Sequence, residues 1–276
     1  MYKLSINDIS SENKQLHLIP KKNFHSINTI EYLGSKKNLL GFILPEIFSV
    51  CNKGDVLLDL FSGTCSVGFA AQERNIIYAN DSQVYSYHIS KTLLNPIIEL
   101  REKHLSIISN SLNRNFNSLI DYWDEDLSIE KKFLDRNITP DFVNEYHEWC
   151  INTDYWGDIE SAKNNKFTRK KIHNDLLTSY KDNNNKFPYM LFSRYYMNAY
   201  FGVRQCLEID AIRYAIDEIE EENIRSIFLT ALMSSMSKVV SSTTHFAQFL
   251  NTRTINSVDN LIQKRSKSIW EHFIGF

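Results

Sequence analysis

A strand–turn–helix–strand pattern near the N-terminus limits the possible folds of this chain more than any other feature. Residues 55–61 form an apolar run suited to a buried strand, and Ser62-Gly63-Thr64 follows as a turn. Helix-forming residues occupy positions 66–74, and residues 75–81 are typical of a second strand that ends in an acid. This order predicts one Rossmann-like βαβ unit with two parallel strands.

Glycine placement indicates where a ligand would bind. Five of the eight glycines fall in the first seventy residues, namely Gly34, Gly41, Gly54, Gly63 and Gly68. Glycine is required where the backbone approaches a ligand closely or turns unusually. We therefore expect a ligand-binding α/β element in the N-terminal third.

The rest of the chain predicts mainly helical structure. Residues 101–186 are polar with weak helical periodicity, whereas an apolar stripe with helical spacing runs from Ile209 to Ile219. Aromatic residues at 122–123 and 146–156 are more typical of a small core than of a surface that stacks on bases. The acid-rich run at 217–222 is expected to be a solvated face. The predicted fold class is α/β, with a division near residue 100.

Composition excludes several classes of protein. The 276 residues are 43% hydrophobic with a formal net charge of −2, which allows a sizeable core and argues against a histone-like basic coat. The four cysteines are widely spaced and His245 has no neighbouring ligand residues, so we expect no metal site. No run has membrane-spanning length, and scattered thiols suit a reducing compartment, so we expect a cytoplasmic protein without a membrane partner.

The turn after the first predicted strand has the composition of a ligand-binding loop. The string Asp59-Leu60-Phe61-Ser62-Gly63-Thr64-Cys65 offers backbone amides with little steric bulk. A zwitterionic methionine moiety can lie over such a loop, with the acid at the strand end facing its ammonium group. Asp81, at the end of the next strand, is placed to accept hydrogen bonds from ribose hydroxyls. An ordinary glycine turn explains the glycines alone equally well.

A second string lies upstream. Tyr32-Leu33-Gly34-Ser35-Lys36 precedes an amphipathic helix whose apolar residues are Leu39, Leu40, Ile43, Leu44 and Ile47. Such a turn can bring backbone and a lysine against an adenosine ligand. Taken alone, a plain helix-entry turn is the more common explanation.

Together, the two strings resemble the Dam-type (class alpha) adenine-specific DNA methyltransferases. In that family a Tyr-x-Gly-x-Lys element precedes an Asp-x-Phe-x-Gly-x-Gly loop and then an Asn-Asp pair, which here are residues 32–36, 59–65 and 80–81. Ile209-Asp210-Ala211-Ile212-Arg213 resembles a helical segment of the same family, and residues 241–250 resemble it more loosely. The resemblance covers residues 25–95 and 190–255.

The resemblance implies a fold and a reaction. Residues 1–100 would form a partial Rossmann-like S-adenosylmethionine-dependent methyltransferase core, and residues 101–276 a mainly helical insert and target-recognition region. The reaction would methylate the exocyclic N6 amine of an adenine flipped out of double-stranded DNA, within a restriction–modification system. The implied cofactor-pocket residues are Asp59, Phe61, Gly63 and Asp81, followed by Tyr32 and Lys36. The Ile-Asp-x-Ile-Arg run argues against an RNA or protein methyltransferase.

The catalytic motif of the family, Asp-Pro-Pro-Tyr, is absent. None of the five prolines is adjacent to another. Phe187-Pro188-Tyr189 is preceded by Lys186, which cannot accept a hydrogen bond from an adenine amine. We assign no catalytic residue and expect the isolated chain to be inactive, as half of an enzyme completed by a second polypeptide or as the product of an interrupted reading frame. A catalytically inactive DNA-recognition subunit is the alternative.

Cys65 and a basic cluster are two further features of the sequence. Cys65 stands where the family loop usually has glycine, so its side chain is expected to crowd the cofactor or to force a different backbone conformation. The basic cluster Lys166, Arg169, Lys170 and Lys171 is a candidate for contacts with DNA phosphates, and a solvated loop is an equally good explanation.

Overall fold

A computed structural model describes residue 30 and residues 35–95, 102–152, 189–242 and 250–276. A 3-10 helix (Lys36–Leu39) and helix α1 (Leu40–Val50) come first. They precede β1 (Val56–Asp59), α2 (Ser66–Ala71), β2 (Ile76–Ala79) and α3 (Val84–Leu94). The later described elements are α4 (Glu102–Leu134), α5 (Pro140–Asn152), α6 (Leu191–Tyr195), α7 (Val203–Asp217), α8 (Glu222–Val239), α9 (Ile255–Arg265) and α10 (Ile269–Ile274).

The chain divides into two compact units. One comprises Met1–Ile107 with Ile216–Ser234, and the other comprises Ile108–Ala215 with Ser235–Phe276. Compactness does not assign a function to either unit, so the division at residue 100 into cofactor and recognition domains stays a prediction.

The first unit contains a two-stranded parallel sheet. Val56 of β1 lies opposite Ile76 of β2, and Asp59 lies opposite Ala79. The strand–helix–strand order is as predicted, although each element is shorter than the sequence suggested. The structure is mainly helical, and two strands do not by themselves establish the wider Rossmann-like core.

One face of this sheet is apolar and exposed. Val56, Leu58, Ile76 and Tyr78 alternate along the two strands, and each is between 55% and 62% exposed. On the opposite face, Ile77 lies under Gly68 of α2. The sheet is therefore packed on one side only by the described elements.

Two glutamates hold the start of α8 within the same unit. Glu221 accepts a hydrogen bond from Lys103 Nζ at 2.7 Å, and Glu222 accepts one from Lys91 Nζ at 2.9 Å. Tyr87 also donates its hydroxyl proton to Glu222, at 2.5 Å. Both glutamates are exposed, which agrees with the interpretation of the acid-rich run as a solvated face, and their ion pairs join α8 to α3 and to the start of α4.

The second unit has a continuous helical core. Helix α4 is 33 residues long, and its buried apolar residues recur at helical spacing: Ile108, Leu112, Phe116, Leu119, Trp123 and Leu127. Tyr146 and Trp149 of α5 pack beside Phe133 with ring centroids 5.2 and 5.1 Å away. These aromatic residues are buried, which confirms the prediction of a small core for Trp123, Tyr146 and Trp149. Tyr155 and Trp156 lie outside the described residues.

Buried carboxylates bind the N-termini of helices in this unit. Glu130 accepts hydrogen bonds from the backbone amides of Val203 and Arg204 at 2.7 and 2.9 Å, at the start of α7. Glu208 accepts the Ile269 amide at 2.6 Å, at the start of α10. The first-turn amides of a helix have no partner within the helix, and a negative charge is favourable there.

Asp210 likewise binds the backbone amides at the N-terminus of α6. Its two carboxylate oxygens accept the amides of Phe192 and Ser193 at 2.7 and 2.8 Å, and the Ser193 hydroxyl donates to one of them at 2.7 Å. Burial raises the pKa of Asp210 to about 7, against the opposing effect of these hydrogen bonds.

Replacing Asp210 with asparagine should change the pH dependence of stability. The folded pKa of about 7 lies above the ordinary value of 3.8, so between these values the folded carboxyl retains a proton that the unfolded chain releases. The contribution of Asp210 to the free energy of unfolding therefore falls as pH rises from about 4 to about 7. Urea unfolding should show that the free energy of unfolding falls less across this pH range for Asp210→Asn than for the parent protein. Parallel curves for the two proteins would contradict the assignment.

Candidate functional site

The parallel pairing of β1 and β2 brings the predicted cofactor residues to one edge of the sheet. Both strands end at this edge, and the turn at residues 60–65 follows β1 while Asn80 and Asp81 follow β2. Ligands of α/β proteins commonly bind outside the carboxyl ends of parallel strands. Asp59, Phe61, Gly63 and Asp81 thus lie near the same edge of the sheet, and their role in binding a cofactor stays a prediction.

Asp81 holds the glycine turn. Its Oδ2 accepts a hydrogen bond from the Gly63 amide at 2.8 Å, and its Oδ1 accepts one from the Gln83 amide at 3.0 Å. Gly63 has φ 51°, in the left-handed region that glycine favours. The Gln83 and Gly63 amides hold the pKa of Asp81 below its ordinary range, so the carboxylate is ionised at neutral pH.

Asp59 and Phe61 lie at the start of the turn and differ in exposure. Asp59 is half-buried, and its Oδ1 accepts the Phe61 amide at 3.3 Å. The Phe61 ring is 87% exposed. Phe61 thus combines an exposed apolar ring with a backbone amide that bonds to the Asp59 carboxylate.

Cys65 lies beneath the turn rather than over it. The residue is fully buried, its thiol bonds to Ser90, and burial raises its pKa to about 11. Its backbone has φ 58° and ψ 24°, the left-handed conformation that glycine adopts without strain. The side chain therefore points into the protein, and the backbone has the left-handed conformation that glycine favours. The effect of Cys65 on cofactor binding stays a prediction.

The remaining predicted site residues are only partly described. Lys36 begins the 3-10 helix, which packs against α2, the helix that follows the turn. Tyr32 lies outside the described residues, as do Lys166, Arg169, Lys170 and Lys171. Their proposed contacts with cofactor and DNA stay predictions.

The Ile-Asp-x-Ile-Arg run is structural in this chain. Ile209 and Ile212 are fully buried in α7, and Asp210 binds the amides of α6. The run therefore positions a helix of the second unit by packing and hydrogen bonding.

Comparison with known proteins identifies the family. A family model described as the D12 class N6 adenine-specific DNA methyltransferase matches residues 32–271. The chain belongs to this family. No curated protein and no solved structure matches it.

The D12 class is a family of DNA methyltransferases, and the region that its model matches includes the sheet edge described above. The matched region contains the turn, the Asn80-Asp81 pair and α7, yet no Asp-Pro-Pro-Tyr motif. Within the described ranges no cluster of three potential metal ligands occurs. No helix in those ranges is long and apolar enough to cross a membrane.

Glycine at position 65 should be tolerated better than alanine. Both substitutions remove the buried sulfur, but alanine retains the Cβ that strains a left-handed backbone. We expect Cys65→Gly to exceed Cys65→Ala in free energy of unfolding by about 1 kcal/mol, measured by urea unfolding. Cys206, buried within α7, provides the matched control, since glycine in a helix is about 1 kcal/mol less stable than alanine. A more stable alanine variant at position 65 would contradict the left-handed turn.

Proposed function

We propose that this chain supplies the cofactor-binding and DNA-recognition parts of an adenine-specific DNA methyltransferase. Its reaction transfers the methyl group of S-adenosylmethionine to the N6 amine of adenine in double-stranded DNA. The observation that carries the proposal is the sheet edge where a glycine turn meets two carboxylates. Membership in the D12 class supports the reaction type.

The cofactor would lie over the turn, between Asp59 and Asp81. Asp59 would face the ammonium group of the methionine moiety, and Phe61 would give an apolar contact. The Asp81 carboxylate accepts the Gly63 and Gln83 amides, and the remaining lone pairs of its two oxygens would accept from the ribose hydroxyls. Gly63 keeps the backbone free of a side chain, and Tyr32 and Lys36 would contact the adenosine.

Removing the Asp81 carboxylate tests the cofactor site. Asp81→Ala loses the acceptor for ribose and releases the Gly63 amide, so its affinity for S-adenosylmethionine should fall about 3- to 10-fold. Asp55→Ala is the matched control, because it removes an exposed carboxylate that accepts the Asn52 amide before β1, away from the turn. Calorimetric titration should show a loss in the first variant only. Equal affinities of parent and Asp81→Ala would remove Asp81 from the site.

The family motif for the chemical step, Asp-Pro-Pro-Tyr, does not occur in these 276 residues. The lone pair of the adenine amine is delocalised into the ring, which makes it a poor nucleophile. An acceptor for the amine protons and a surface that stacks on the flipped base would orient it towards the methyl group. We therefore propose that a second polypeptide carries Asp-Pro-Pro-Tyr.

The exposed sheet face supports this part of the proposal. Val56, Leu58, Ile76 and Tyr78 form an apolar surface that is unusual for a sheet exposed to solvent. Strands and helices of the second polypeptide would cover this surface and complete a Rossmann-like core. A strand of the second polypeptide that pairs in parallel with this sheet would end at the same edge as β1 and β2, and a motif at its end would then lie near the turn.

The biological setting proposed is a restriction–modification system in the cytoplasm. The four cysteines are free thiols, which suits a reducing compartment. Lys166, Arg169, Lys170 and Lys171 would contact DNA phosphates and position the recognition region.

Methyl transfer should require both polypeptides. The chain alone should incorporate no labelled methyl group into unmodified DNA, and incorporation should begin when a polypeptide that contains Asp-Pro-Pro-Tyr is added. The control is the same polypeptide with alanine in place of the motif aspartate. Incorporation by the chain alone would contradict the proposal. DNA binding without incorporation in every mixture would favour the inactive recognition subunit.

A further inference from the structure

The side chain of Asn80 bonds to the turn beside it. Asn80 Nδ2 donates to the Leu60 carbonyl oxygen at 3.1 Å. Its backbone amide donates to Asp59 O at 2.8 Å and its carbonyl accepts the Ser62 amide at 3.0 Å. The backbone bonds are open to any residue with an amide proton at this position, whereas the bond to Leu60 requires a side-chain donor.

Asn80 and Asp59 both form hydrogen bonds with the peptide group between Leu60 and Phe61. The Leu60 carbonyl accepts from Asn80, and the amide of that same peptide, on Phe61, donates to Asp59 Oδ1. A peptide group is planar, so fixing its carbonyl also fixes the direction of its amide proton. The orientation of the Asp59 carboxylate therefore depends on Asn80 through the Leu60–Phe61 peptide.

Asp81 acts on a different part of the turn. It binds the Gly63 amide, which lies beyond the peptide that Asn80 holds. The adjacent residues Asn80 and Asp81 thus fix two separate peptide groups of the turn. Loss of either side chain should disturb a different part of the bound cofactor.

We propose that Asn80 is a positioning residue that orients Asp59 and Phe61 towards the methionine part of the cofactor. The inference rests on the proposed function and adds a residue to which that function assigned no role. An amide is suited to this position because it presents a donor to the Leu60 carbonyl without adding a third negative charge beside Asp59 and Asp81. An aspartate would face that carbonyl with an acceptor.

The test compares two ligands that share adenosine and differ in the amino acid. S-adenosylhomocysteine contains the amino-acid group that Asp59 would face, and 5′-methylthioadenosine lacks it. Asn80→Ala should lower the affinity for S-adenosylhomocysteine about 5- to 10-fold, because one hydrogen bond is lost. The affinity for methylthioadenosine should stay within about twofold of the parent value. Asp81→Ala should weaken both, because the ribose is common to them.

Two controls separate positioning from general damage. Asn95→Ala removes an exposed asparagine at the end of α3 and should bind both ligands as the parent does. Asn80→Gln retains an amide donor and should bind S-adenosylhomocysteine more tightly than Asn80→Ala. The Leu60 carbonyl is on an exposed residue and can accept from water, so thermal unfolding of Asn80→Ala should occur close to the parent midpoint.

Each other outcome has a distinct meaning. Equal weakening of the two ligands by Asn80→Ala, or no weakening of either, would overturn the positioning role and leave the proposed function intact. A parent chain that binds neither ligand would overturn the proposed function, and the role of Asn80 with it.

Discussion

The hydrogen bond from the Gly63 amide to the Asp81 carboxylate connects the ends of the two strands on which the proposed site depends. Parallel pairing places both ends at one edge, but pairing alone leaves the turn after β1 free to move. At 2.8 Å, with an ionised acceptor, this bond is of the stronger, charge-assisted kind. It fixes the turn, which contains Phe61, against β2, whereas Asp59 is placed by its own pairing with Ala79 in the sheet. The cofactor would then meet a surface that is already formed.

The strand–turn–helix–strand unit was predictable because its signals are local. Apolar runs, a glycine turn and a terminal acid are each visible in about thirty residues. Helix α4 was not delimited in advance, because polar residues surround an apolar stripe that is only one or two residues wide per turn. The partners of Glu221 and Glu222 could not be predicted either, since they lie more than a hundred positions away in the chain. The role proposed for Asn80 depends on a three-dimensional contact in the same way.

The resemblance to the methyltransferase family rests on two kinds of residue. Asp59, Phe61, Gly63 and Asp81 lie at one edge of the sheet, where a ligand would be expected. Asp210 instead lies in the core of the second unit and satisfies the amides of α6. The sequence alone does not distinguish the residues at the sheet edge from those in the core, because both belong to short polar motifs between apolar residues. Burial separates them, since Asp210 is fully enclosed and Phe61 is almost fully exposed.

Binding of S-adenosylmethionine at the carboxyl edge of β1 and β2 is the proposal on which the others depend. A crystal structure of the chain with S-adenosylhomocysteine tests it most directly. We expect the amino-acid group of the ligand beside Asp59, its thioether over the turn at Phe61–Gly63, and its ribose hydroxyls within hydrogen-bond distance of Asp81. A ligand bound elsewhere on the chain, with this edge unchanged, would contradict it.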